Sequence, residues 1–216
     1  MPVSEPTLSS SILDALEGLV KWLEDEQVPN AIIGAVGVCL TAKPRFTTDI
    51  DAVIWVDRDR WEALINSAVD RGFSLRESDA LAFATRARVL LLTHESSGVD
   101  IDLSFGALPF ERELIDRADE TDVRGTSVKV ATPEDLIITK AVANRPKDIA
   151  DIELIVDVRK RLDLRRIRYW VVQFADVLEM PEIIENVERV LKHSAARRSS
   201  ARSKESPGKA KMKKKR

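Results

Sequence analysis

Apolar residues recur at Ile12, Leu13, Leu16, Leu19, Val20 and Leu23 behind a run of serines. That three-to-four spacing predicts an amphipathic helix whose first amides a serine hydroxyl caps. The pattern then tightens: residues 31–33 read as a short buried strand that turns at Gly34 into a helix of small residues. The stretch "TDIDAVIWV" predicts a strand, and "DRDRWEALINSAVDRG" a helix that Asp57 or Asp59 would cap and Gly72 would end. Two further strands are expected in "FATRARVLLLTH", where Arg86 and Arg88 alternate with apolar neighbours, and in "GVDIDLSFG". "LPFERELIDRADE" opens a helix on a proline and "TSVKVAT" is a short strand. From Pro133 to residue 193 every segment has helical spacing.

Strands mixed with helices, giving way to helices alone, predict an α+β fold: a mixed β-sheet with flanking helices and a helical C-terminal part. The expected divisions are an α/β core over 1–132, a helical part packed on it over 133–193, and a disordered basic tail over 194–216. Charge supports the last division. The net charge of −2 comprises +9 on residues 194–216 and −11 on the remainder. A basic tail of this kind suits phosphate contacts with RNA or DNA, or serves only solubility. With 216 residues, 44% of them hydrophobic, the chain fits one sizeable core. Cys39 is the only cysteine, no apolar run approaches the roughly 20 residues of a membrane span, and the start shows no secretory pattern. The cytoplasm is therefore the expected location. His94 and His193 lie too far apart in sequence to suggest zinc. Cys39, Trp61, Tyr169, Trp170 and Phe174 fall at helical positions and are expected in the core.

The chemistry concentrates in "RFTTDIDAVIWV". In a strand, Asp49 and Asp51 project from one face and Ile50 from the other. Two carboxylates at the mouth of an apolar strand repel each other unless something neutralises them. A hard divalent cation such as Mg²⁺ takes carboxylate oxygens. A second apolar strand carries the same pattern at Asp100 and Asp102, and Gly34 marks a turn whose amides would seat phosphate. The competing explanations are solvated strand ends, or acids neutralised by Arg86 and Arg88.

The segment "IIGAVGVCLTAKPRFTTDIDAVI" resembles the signature of the DNA polymerase beta-like nucleotidyltransferase superfamily: an apolar strand, Gly and a small residue, a spacer, then Asp-x-Asp between apolar residues. More narrowly, "RFTTDID" and "TPEDLIITKAVANRPKDIADIELI" are similar to motifs of small bacterial nucleotidyltransferase-like proteins of the AbiEii toxin type. The resemblance implies metal binding by Asp49 and Asp51, with Asp102 as third carboxylate and Asp100 as second choice. It implies a nucleotide site formed by Gly34, Ala35, Arg45, Thr48, Lys140 and Asp148. Lys140 would approach the phosphates, Asp148 would stand near it, and Arg45 would bind phosphate or brace the loop. For Arg145, Lys147, Asp148 and Asp151 the plain alternative is a solvated charge run. Relatives usually carry Gly-Gly or Gly-Ser where this chain has Gly34-Ala35, so a serine hydroxyl is absent from the turn.

The resemblance implies an enzyme that moves a nucleoside monophosphate from a nucleoside triphosphate such as ATP to a hydroxyl, with one or two Mg²⁺ ions. The resemblance adds tRNA or another RNA as acceptor, growth arrest as outcome and a cognate antitoxin protein as partner. Two alternatives remain at this stage. One is a weak or inactive copy that binds nucleotide, nucleic acid or a protein. The other is a small-molecule nucleotidyltransferase, as in antibiotic adenylation.

Overall fold

In a computed structural model that describes residues 8–204, with side chains through residue 198, the amphipathic segments form as their spacing requires. Helix α1 (Ser10–Asp25) begins where the Ser9 hydroxyl accepts the Ile12 amide at 3.3 Å, and Leu16, Leu19 and Leu23 on its inner stripe are buried. Strand β1 (Asn30–Ile32) leads through Ile33 into α2 (Gly34–Thr41), and β2 (Asp49–Ile54) follows the loop. A short 3₁₀ turn (Arg58–Arg60) precedes α3 (Trp61–Asp70). Neither Asp57 nor Asp59 caps this helix by a side-chain hydrogen bond. Then come β3 (Phe73–Leu75), α4 (Ala80–Ala87), β4 (Val89–His94), β5 (Val99–Phe105), α5 (Pro109–Asp116), β6 (Asp119–Val123) and β7 (Thr126–Val130). Four helices complete the described chain: α6 (Pro133–Ala143), α7 (Pro146–Val158), α8 (Leu164–Leu178) and α9 (Glu182–Lys204).

The seven strands form one mixed sheet in the order β3-β4-β5-β2-β1-β7-β6. β2 runs parallel to β5 and antiparallel to β1, and β1 runs parallel to β7. One face of the sheet carries Ile50, Ala52, Ile54, Ile101 and Leu103 against α1 and α3. On the other face Ala31 and Val53 pack against α5 and the C-terminal helices. These helices cover the β1 and β2 part of that face. Along β5 the same face is polar, with Asp100, Asp102 and Ser104 half-buried. This polar stretch lies beside the helical part.

Several expectations need correction. Residues 83–87 are helical in α4, not strand, because Arg88 takes a left-handed conformation (φ 55°) and breaks the chain between α4 and β4. β3 and β6 were not foreseen, and α5 stops at Asp116, before β6. Tyr169 is 59% exposed, whereas Trp61 and Cys39 are buried as expected. The boundary expected at residue 194 falls inside α9. There Ser194 is buried and donates to Asp157 at 3.1 Å, and Arg198 donates to the carbonyl of Arg159 at 2.7 Å at the end of α7. Residues 205–216 of the expected tail lie outside the described residues. Among the described residues, no helix is long and apolar enough to cross a membrane.

Candidate active site

The parallel pairing of β2 with β5 sets Asp49 opposite Asp100 and Asp51 opposite Asp102. Residues directly opposed in neighbouring strands point to the same face, so all four carboxylates lie on one face of the sheet. Ile50 and Ile101, one residue along, are fully buried on the other side. A one-residue slip would bury the acids and expose the isoleucines, so the apolar face fixes the register of the polar one.

Gly34 backs this cluster. The amide of Ile33 donates to the Asp51 carbonyl at 2.9 Å, holding the β1–α2 turn against β2. Gly34 then takes φ +61°, and a β-carbon built on it would stand 1.9 Å from Asp51 Oδ2. Only glycine meets both conditions. Gly37 plays a second part, since a β-carbon there would lie 2.9 Å from Leu136 Cδ2, and its absence lets α2 approach α6. The first amides of α2 lack intrahelical acceptors and carry the positive end of the helix dipole beside Asp51. Ala35 is buried in this first turn and brings no hydroxyl.

Burial raises the proton affinity of the Asp51 carboxyl, and the charges of Asp49 and Asp102 raise it further; Lys140 and Arg145 counter part of this. Asp102 is also raised, first by burial, with Arg76 opposing. Arg76, just after β3, reaches across β4 to contact Asp102 and to pair with Asp100 at 3.0 Å. It takes the neutralising role that the sequence had suggested for Arg86 and Arg88. Those side chains lie elsewhere: Arg86 stacks on Phe83, while Arg88 stacks on Trp61 and donates to the carbonyls of Phe105 and Gly106. Asp100 also accepts from the Thr93 hydroxyl at 2.7 Å. Asp49 is exposed and accepts from the Thr47 hydroxyl at 2.8 Å, whereas Thr48 is exposed with its side chain outside this hydrogen-bond network.

Behind the carboxylates lies a buried ionic cluster. Lys140 on α6, only 6% exposed, pairs with Asp148 at 3.2 Å and Asp151 at 2.9 Å. The i, i+3 spacing of the two aspartates puts both on one face of α7. Arg45 from the α2–β2 loop meets Asp151 at 2.9 Å, so it braces the loop against α7. Arg145 pairs with Asp148 while more than half of its side chain remains exposed. Burial pushes the Asp148 carboxyl up, but the Arg145 hydrogen bond and the Lys140 charge outweigh it and hold it below the usual range. Asp148 and Asp151 are thus not a solvated charge run; both are nearly inaccessible.

Thr47, Arg76, Thr93, Arg145 and Asp151 join the site beyond the residues expected there. Of these, Arg145 and Asp151 left a signal in the sequence, the charged run around Asp148. The donor set is all carboxylate oxygen, which suits a hard divalent cation, and the missing side chain of Gly34 leaves the Asp51 carboxylate room to stand where it does. Among the described residues, no three His, Cys, Asp or Glu side chains already converge as a metal cage. Asp102 is turned onto Arg76 instead.

Residues 12–189 match the family described as "Nucleotidyl transferase of unknown function (DUF2204)". No curated protein sequence matches the chain. Among solved structures, the chain is similar to an antigenic nucleotidyltransferase-like protein from Paracoccidioides brasiliensis, at 16% identity and TM-score 0.52 over 83% of this chain and 93% of that one. It is also similar to ANT(2'')-Ia, solved in complex with adenylyl-2''-tobramycin, at 15% identity and TM-score 0.52 over 78% of this chain and 99% of that one. At such identities the likeness is one of fold.

Proposed function

The chain belongs to the family Nucleotidyl transferase of unknown function (DUF2204), and from that premise we propose that it transfers a nucleoside monophosphate from a nucleoside triphosphate to a hydroxyl acceptor with Mg²⁺. The observation that carries the proposal is the opposed pair Asp51 and Asp102 beside the Gly34 turn. Asp49, Asp51 and Asp102 would hold the cation, with Asp100 kept by Thr93 and Arg76. When bound, such a cation polarises the phosphate oxygens and stabilises charge on attacking and leaving oxygens.

The chain's own groups divide the remaining work. The first amides of α2 seat the triphosphate, with Ala35 offering its backbone alone. The Asp102 carboxylate accepts the proton of the acceptor hydroxyl, whose oxygen bonds to the α-phosphorus as the bond to the bridging oxygen of pyrophosphate breaks. Lys140 supplies positive charge from behind, fixed by Asp148 and Asp151, and Arg145 is the more exposed cation for the departing pyrophosphate.

The AbiEii-type resemblance of the motifs extends the proposal to RNA, tRNA in particular, as acceptor and to a cognate antitoxin as partner, both in the cytoplasm. The basic end of the chain supports an anionic acceptor. The test is incubation with Mg²⁺, each α-labelled nucleoside triphosphate and total RNA, beside Asp49→Ala and Asp51→Ala. Label in a discrete RNA, absent with both variants, supports the proposal. Label only in an added small-molecule hydroxyl acceptor would reassign the acceptor, and equal labelling by wild type and both variants would end the assignment.

A further inference from the structure

Among the described residues, Phe46 is the most exposed large apolar side chain, at 84%, while the other five phenylalanines are buried or half-buried. A single exposed apolar side chain is ordinary on a protein surface, so it is the place of this ring, and not its exposure alone, that gives it a use. Its position narrows what that is. Phe46 stands in the loop between α2 and β2, three residues before Asp49.

Both flanks of Phe46 are tied down. On one side the Arg45 amide lies 3.3 Å from Cys39 Sγ, and the Arg45 guanidinium is held by Asp151 at 2.9 Å. Arg45 Nη1 also donates to the Phe46 carbonyl at 3.4 Å. On the other side the Thr47 hydroxyl donates to Asp49 Oδ1 at 2.8 Å. The backbone carrying the ring is therefore fixed to the carboxylate site and to the ionic cluster behind it, while the ring itself is free. A ligand ordering this ring gives up little loop entropy.

We infer that Phe46 is a stacking platform for a nucleobase beside the carboxylate cluster. The inference rests on the nucleotide-transferring role proposed above. It adds that binding energy comes from the base as well as from the phosphates. A flat apolar ring stacks on any base, so the platform accepts different bases and leaves discrimination to other groups.

The test compares affinities for Mg-ATP and for Mg-tripolyphosphate, which carries the phosphates without a base, in wild type, Phe46→Ala, Phe46→Leu and Phe46→Trp. The side chain is largely exposed, so all four chains should fold alike by circular dichroism. Phe46→Ala and Phe46→Leu should weaken ATP by roughly 5- to 100-fold, the scale of losing one base-stacking partner. Tripolyphosphate binding should stay unchanged in every variant, and Phe46→Trp should hold ATP at least as well as wild type. A parallel arm with a single-stranded oligoribonucleotide identifies the source: loss confined to that arm supports a base of the acceptor, and loss confined to ATP supports the base of the donor. Equal losses for ATP and tripolyphosphate, or no loss in either arm, overturn the inference while leaving the enzyme assignment standing. A wild-type chain that binds neither ATP nor tripolyphosphate nor the oligonucleotide overturns both.

Discussion

Gly34 and Asp51 share one space: a β-carbon on the glycine would stand 1.9 Å from the Oδ2 of the aspartate. The left-handed backbone at Gly34 adds a second penalty for any other residue, about 1–2 kcal/mol. Gly34→Ala should therefore displace the Asp51 carboxylate while the sheet survives. Mg²⁺-dependent nucleotide binding should fall at least about tenfold, equivalent to about 1.4 kcal/mol, with little change in circular dichroism. Unaltered binding would show that Asp51 is not held where the ligand needs it.

Arg76 is the cation that Asp100 and Asp102 have within the protein itself. These groups are partly exposed, so the pairs are worth roughly 1 kcal/mol or less. Arg76→Gln should lower thermal stability modestly at low ionic strength, and the loss should shrink as salt is added. Millimolar Mg²⁺ should then raise the melting temperature of the variant more than that of wild type. If Mg²⁺ stabilises both equally, Arg76 and the cation do not share the same carboxylates.

Asp148 offers a pH test away from the carboxylate cluster. Its proton affinity is lowered in the folded chain, so the stability it contributes is present above the unfolded pKa, about 3.9, and is lost as pH falls through and below that value. At pH 7, Asp148→Asn should cost about 3 kcal/mol, because Lys140 keeps only Asp151 in a buried site. The gap to wild type should narrow steadily between about pH 5 and pH 3. A gap that stays constant over this range would mean that the carboxylate's charge is not what stabilises the fold there.

Ala35 decides how much a side-chain hydroxyl matters to the phosphate turn. If amides alone seat the triphosphate, Ala35→Ser changes affinity less than about threefold. A gain of tenfold or more would mark the natural chain as a weakened binder. Isothermal titration with a non-hydrolysable nucleotide and Mg²⁺ reads the difference.

The parts of the fold that bury a regular stripe were legible from sequence. α1 announced itself by Ile12, Leu16 and Leu19 behind Ser9, and β2 by alternation around Ile50. The edge strands were not. β6 is mostly exposed and polar apart from Val123, and β3 has three residues, so neither carries an apolar period. Arg88 ended α4 through a left-handed conformation that its residue type does not advertise. In the candidate site, Gly34 and the paired aspartates stood out because each breaks an apolar run. Arg76 did not, since it reaches its partners across β4, and no local pattern records which strands become neighbours. Tyr169 shows the converse: helical spacing placed it inward, yet it is exposed.

The register of β2 on β5 also has a consequence for when the site comes into being. Its carboxylates come from strands about fifty residues apart, and Lys140 and Asp148 follow some forty residues later still. β2, β5 and the α6–α7 pair do not meet one another through local structure alone, so the chain must close long loops before their charged groups converge. A growing polypeptide that has not yet released α7 from the ribosome lacks Asp148 and Asp151, and with them the anchors of Lys140 and Arg45. For a protein whose proposed acceptor is RNA, synthesis would then proceed beside ribosomal and transfer RNA with the candidate site still in pieces, and the proposed activity would arrive only once α7 has packed.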